Sequence, residues 1–275
     1  MAQSKKAVEL QFPRLPIKNW NILGLDLSLS RTGYAVLRLE DGVARWVEVG
    51  SFTPRDSSDE TWARGLAIAT LVRDVLSRLT ESDPLTGIIL SVEFPDPKNS
   101  YLMALNGIVQ AALWSSGPEG TLQERCPIYR FAINAMTLRS VLRLNKTVAG
   151  NKDVNIAMAY NYIDQKGFPN LDSDNCDAVL LAMMGRHAAM VLGGHEDMVP
   201  IPPLQCLCTC EMKVKVTSRT DKKTGAVKAA RKEKPKGLLH NPATWTRMGG
   251  PVQVRVASTD ARLQLTRPPV STVLL

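Results

Sequence analysis

Apolar residues along this chain gather into short runs, and two of those runs end on an acid. Ile22-Leu23-Gly24-Leu25 reaches Asp26, passes through a small polar turn at residues 28–32, and leaves through Gly33 into a second apolar run at residues 34–39. A separate run at residues 87–92 ends on Glu93. A continuous apolar run, without alternation, marks a strand covered on both faces. An ionised carboxylate in such a strand is costly unless it is paired or coordinates a cation. Asp26 therefore needs partners from elsewhere in the chain.

Around these runs the pattern predicts strands alternating with helices. Residues 20–26, 33–40 and 43–52 read as three strands. Asp41-Gly42 is a two-residue hairpin signal between the second and third, so the three form an antiparallel meander. Ser57-Ser58-Asp59-Glu60 supplies capping residues for a helix, with Trp62, Leu66, Ala69, Val72, Val75, Leu76 and Leu79 at helical spacing. Residues 87–93 read as a fourth strand, which Pro95 and Pro97 cannot continue as a central strand. Helices are predicted over residues 98–116, 134–144, 154–165 and 172–192, and a fifth strand over 127–132. Residues 146–152, Lys-Thr-Val-Ala-Gly-Asn-Lys, form a basic loop.

The character changes at residue 198. Pro200, Pro202 and Pro203 read as a linker. Residues 204–217 alternate like a strand, with Cys206, Cys208 and Cys210 on one face. Residues 219–236 are rich in Lys and Arg, poor in apolar groups, and expected to be mobile. Residues 252–256 and 262–266 suggest a short hairpin. The expected division is an arm at 1–19, a globular domain at 20–197 and a basic extension at 198–275.

Charge sharpens this division. The chain of 275 residues carries a net +8, and residues 198–275 hold 14 Lys and Arg against 4 Asp and Glu. The rest of the chain is near neutral. A basic extension on a neutral body implies an anionic partner, most simply nucleic acid, or else a solvated tail. With 44% hydrophobic residues the chain has enough apolar content for a core. No apolar run approaches the ~18 residues that span a bilayer, and the N-terminus lacks the apolar stretch of a signal peptide. A soluble, intracellular protein with no membrane partner is expected. Five cysteines, three of them clustered, do not suggest a disulfide framework. Cys206, Cys208 and Cys210 with His195 and His240 are a weak zinc candidate, because their spacing is not a usual one. Small core residues are the simpler reading.

Asp174 and Asp177 add two acids in the first turn of the last long helix, three residues apart and so on one face. Each acid has a plain structural reading, as a turn-former or as a complement to the helix dipole. If the four acids from two strands and one helix converge, they would raise one another's pKa unless divalent cations lie between them. Hard cations such as Mg²⁺ take oxygen ligands, and a pair of them can serve phosphodiester hydrolysis.

The order of elements and acids resembles the RNase H-like fold, and specifically the RuvC family of Holliday-junction resolvases. The resemblance covers about residues 20–193. It rests on Ile22 to Val36, with a lone Asp26 and the Thr32-Gly33-Tyr34 exit; on Glu93 closing the fourth strand; on Lys98-Asn99; on the basic loop; and on Asp174 to Ala182, with Asp-x-x-Asp-Ala. It implies an α/β fold with a mixed five-stranded sheet flanked by helices, extended here by a basic C-terminal segment of short strands and loop. It also implies a Mg²⁺-dependent endonuclease acting on branched DNA as a homodimer. Asp26, Glu93, Asp174 and Asp177 would bind two Mg²⁺, with Mn²⁺ as a substitute. Lys152 or Lys146 would stabilise charge on the phosphate. Lys98, Asn99, Lys146 and Phe94 would contact DNA, with further contacts through the basic tail. The family's junction wedge is an aromatic three positions after the second acid; here that place is Asp96, and the aromatic is Phe94. This keeps open a flap or replication-fork endonuclease, and a virus- or mobile-element origin. A catalytically inactive DNA-binding protein on this fold and an actin-like or sugar-kinase ATPase also share parts of the pattern. The ATPase would need a second domain and glycine-rich phosphate loops that the sequence does not display.

Overall fold

The computed structural model describes residues 15, 17–53, 61–80, 86–94, 98–114, 126–142, 152–208, 237–240 and 244–248. Its centre is a six-stranded mixed sheet in the order β3-β2-β1-β4-β5-β6. The strands are β1 (Asn19–Asp26), β2 (Thr32–Glu40), β3 (Val43–Phe52), β4 (Thr86–Glu93), β5 (Ile128–Ile133) and β6 (Trp245–Met248). The helices are α1 (Thr61–Thr80), α2 (Ser100–Trp114), α3 (Ala135–Val141), α4 (Lys152–Ala159), α5 (Ser173–Gly193) and α6 (Ile201–Cys208). Strands β1 to β3 are antiparallel, β4 and β5 run parallel to β1, and β6 returns antiparallel to β5. This is an α/β arrangement of a mixed sheet flanked by helices, carrying six strands rather than the expected five.

Strand parity explains the apolar runs. In β1, Leu23 and Leu25 face a core shared with α1, including Ile68, Val72 and Leu76. Trp20 and Ile22 face the opposite core, built on α5. Both faces of β1 are therefore dry, as its unbroken run requires. Asn21 is the polar exception, fully buried. Its amide donates to the Leu79 carbonyl at 3.0 Å and its oxygen accepts from Arg38 Nε at 3.1 Å. A buried amide satisfied on both sides ties β1 to the end of α1 and to β2. Asp41 and Gly42 close the β2–β3 hairpin with φ of 47° and 81°, the left-handed pair that a tight hairpin turn requires.

Helix α5 is apolar on nearly every side because it lies between layers. It packs on β1, β2 and β4 across one face and against α4 and α6 elsewhere. By length and composition it is apolar enough to cross a membrane, contrary to the expectation that no such run exists; its residues are instead buried in this core. Asp172 caps its start, accepting from Asn175 N at 2.9 Å. Gly194 ends it at φ 83°, with its N–H turned back to Met190 and Val191.

Several expectations are corrected. Trp62 and Leu66 have helical spacing but are 60% and 42% exposed, so they lie off the buried stripe that Ile68, Val72 and Leu76 form. Residues 201–208 are a helix, not the start of a strand. Proline is tolerated in the first helical turn, and the buried positions Pro203 and Leu207 are four apart, a helical period. Cys206 and Cys208, two apart on that helix, do not share one face. The short strand of the extension lies at 245–248, where Trp245 stacks on Tyr129 at 5.1 Å. Its core positions thus belong to the same fold as the sheet. The expected mobile stretch 219–236, the hairpin at 252–266, Cys210 and residues 1–14 of the expected arm 1–19 lie outside the described residues.

Candidate functional site

The four acids come from three elements that meet at one end of the sheet. Leu25 is in parallel register with Val92, so Asp26 and Glu93 leave the ends of neighbouring strands. Strand alternation puts both on the face of Ile22 and Ile89, the face covered by α5. The first turns of α5 then lie directly over β1 and β2, and two glycines allow it. A Cβ on Gly24 would sit 2.1 Å from the Ala178 carbonyl oxygen, and one on Gly33 would sit 2.2 Å from that of Asp174. Gly33 is also the residue paired with Asp26 across the β1–β2 ladder. The missing side chains thus set the distance between Asp26 and the helix that carries Asp174 and Asp177.

Other bonds fix the helix end. Asn175 donates to the Gly50 carbonyl on β3 at 2.6 Å. Arg31, in the turn after β1, forms an ion pair with the capping Asp172 and donates to Ser51 Oγ at 3.0 Å. The polar turn itself is closed by Thr32, whose hydroxyl donates to the Ser28 carbonyl at 2.9 Å. Ser91, two residues before Glu93 on β4, donates to the Leu181 carbonyl at 2.7 Å and anchors α5 further along. Asp172 is thereby occupied as cap and ion-pair partner.

Electrostatics record the convergence. The Asp26 carboxyl is pushed up from 3.8 to about 8, first by burial and then by the charges of Asp177, Glu93 and Asp174. Glu93 is also raised, by burial and by Asp177. Arg139 on α3 opposes both shifts. Among the described residues, no three acidic, histidine or cysteine side chains are placed to enclose an ion. The donor set is all oxygen, which suits a hard cation, and its charges raise Asp26 and Glu93.

The remaining predicted residues are placed as follows. Asn99 caps α2, with Oδ1 accepting from Leu102 N at 3.1 Å, and Lys98 precedes it on the exposed surface. Phe94 is partly buried against the α1-side core, and its N–H donates to the Ile133 carbonyl at 2.8 Å. The backbone of Lys152 begins α4. Lys146 and Asp96 lie outside the described residues. Burial raises the thiols of Cys206 and Cys208 to about 11. Two residues near the acids escaped the sequence reading. One is Arg139. The other is Asn155 on α4, whose Nδ2 donates to Asp177 Oδ1 at 2.9 Å. Its signal was a polar residue one turn before Ala159, on a helix face that is buried.

No protein-family model matches the chain, and no curated protein does. Solved structures are similar to it. Thermus thermophilus RuvC is 18% identical over 64% of this chain and 97% of its own, with a TM-score of 0.44. The fowlpox virus resolvase, solved with Holliday-junction DNA, is 11% identical over 61% of this chain and 97% of its own, at 0.39. The yeast mitochondrial Holliday-junction resolvase is 13% identical over 66% of this chain and 82% of its own, also at 0.39.

Proposed function

We propose that the chain is a metal-dependent, structure-selective DNA endonuclease, acting as a Holliday-junction resolvase. One observation carries this reading: three carboxylates from β4 and α5 crowd Asp26 at the end of a central strand, against a large electrostatic penalty. A fold gains nothing from that arrangement by itself. It is useful where positive charge must be held against phosphate. Asp26, Glu93, Asp174 and Asp177 are the residues that would hold two Mg²⁺, or Mn²⁺ in their place. Bound cations supply activation of the attacking water and stabilisation of the departing 3′ oxygen. The chain's own part is to aim the four acids: β1 and β4 fix two, and the capped end of α5 fixes the other pair. A lysine of the basic loop, Lys146 or Lys152, would stabilise charge on the phosphate. The basic extension adds salt-sensitive affinity for DNA. Paired nicking requires two active sites, hence a homodimer.

A second reading is a flap or replication-fork endonuclease. Phe94 favours it, because this aromatic is packed against the core and its N–H is held by Ile133. A wedge would have to stand free of the domain. The two readings are separated by a panel of four-way junction, fork, flap, duplex and single-stranded substrates with Mg²⁺. Symmetric paired nicks on the junction alone are expected for the resolvase. Preference for flaps or forks supports the second reading. Cleavage of none of them, with retained DNA binding, leaves a catalytically inactive DNA-binding protein. Phe94→Ala is expected to lower stability by about 1–2 kcal/mol, less than for a fully buried aromatic because Phe94 is only partly covered, while leaving substrate choice unchanged. Thermal unfolding and the same panel measure both.

A further inference from the structure

We infer that Asn155 is a positioning residue for the acidic site, holding the Asp177 carboxylate in the orientation that cation binding requires. This rests on the metal-binding part of the reading above. Asn155 is 5% exposed and sits on α4, which packs along α5. Ala159, one turn later on the same face, is fully buried, so the position is a core position by its surroundings. Apolar residues are the ordinary occupants of such a place. The amide makes one side-chain bond there, from Nδ2 to Asp177 Oδ1 at 2.9 Å. Its own oxygen is buried and meets no donor among the described residues. A half-satisfied buried amide is unfavourable for folding, so its presence points to the bond it does make.

That bond has a defined effect. A neutral donor on a carboxylate favours the charged form and restricts the directions in which the carboxylate can turn. Asp177 is among the charges that raise both Asp26 and Glu93. Fixing its direction fixes the one acid that both strand carboxylates sense. The unmatched oxygen of Asn155 is open to a donor from the hydration shell that a hard divalent cation keeps. Helix α4 begins at Lys152, the last residue of the basic loop. One short helix thus carries the end of that loop and the grip on Asp177.

The test is Mn²⁺ binding to the full chain, followed by electron paramagnetic resonance, for the wild type, Asn155→Leu and Asn155→Ala. Leu keeps the volume and removes both polar groups; Ala serves if Leu does not fold. Mn²⁺ affinity is expected to fall about 10–100-fold, the usual effect of removing a partner of a metal ligand. Thermal unfolding in EDTA is expected to be unchanged or improved, and cleavage is expected to recover at raised Mn²⁺. Wild-type Mn²⁺ affinity in the variants overturns the inference, as does a loss of cleavage that excess Mn²⁺ does not restore. Wild-type protein that binds Mn²⁺ but cuts no DNA removes the nuclease reading and leaves this inference standing. Wild-type protein that binds no Mn²⁺ removes both.

Discussion

Asp26→Asn is expected to abolish Mg²⁺-dependent strand cleavage while making the protein more stable in EDTA. Loss of a single group that stabilises transition-state charge costs ~10²–10³-fold in rate, and Asp26 is the acid that senses all three of the others. The stability effect follows from its carboxyl, which titrates at about 8 in the fold against 3.8 for the free group. Between those values the folded state keeps a proton that the unfolded state has released. The contribution is thus greatest below about 4 and is lost as the pH rises towards 8. Asparagine carries no such dependence. The variant's advantage in EDTA is expected to grow from pH 5 to pH 8, reaching a few kcal/mol, or roughly 5–10 °C in Tm. Mg²⁺ should stabilise the wild type more than the variant. Thermal unfolding across pH, with and without Mg²⁺, measures each part. A Tm difference that is flat with pH would remove the electrostatic account, and undiminished cleavage would remove the catalytic one.

Gly24→Ala and Gly33→Ala are expected to be nearly as damaging, for a steric reason. Each new methyl group meets backbone rather than a flexible side chain: the Ala178 oxygen and the Ala182 nitrogen in one case, the Asp174 carbonyl in the other. The first turns of α5 must lift from the sheet, at a cost of about 3 kcal/mol or more. Gly33→Ala should also displace Asp174, so cleavage should fall further than stability alone explains. Gly107 in α2 is the internal control, since a Cβ there meets nothing within 4 Å. Gly107→Ala should be neutral or stabilising by up to ~1 kcal/mol, as alanine is the better helix former. Urea unfolding of the three variants gives the comparison. Equal effects at all three positions would exclude close helix–sheet approach as the cause.

The strands and the acids were legible in the sequence because each broke a pattern. Asp26 and Glu93 end runs with no other polar group of their kind, and Asp174 and Asp177 share a face at a capped helix start. Their convergence was less visible, because it depends on Gly24 and Gly33, which read only as parts of a strand and a turn. Asn155 was lost for a related reason. One polar residue in a helix looks solvent-facing until the neighbouring helix is known to cover it. Trp62 and Leu66 show the converse: spacing reports the helix, while burial depends on what lies opposite. The alternating Leu and Cys residues after Pro203 imitated a strand, since eight residues are too few for period two and period 3.6 to separate. At four residues, β6 is shorter still, and its placement depends on Trp245 finding Tyr129.

Strand β6 also has a practical consequence for anyone handling the protein. A sheet edge with free backbone groups invites pairing with another chain. On the far side, β3 presents alternating charge, with Arg45 and Glu48 among its residues. On this side, β5 is covered by Trp245–Met248. Cutting the chain at 198 to remove its basic residues would strip that cover and uncover an adhesive edge along with Tyr129. Loss of solubility in such a fragment would say nothing about DNA. Charge reversal at chosen Lys and Arg positions, with the strand left in place, keeps the two effects apart.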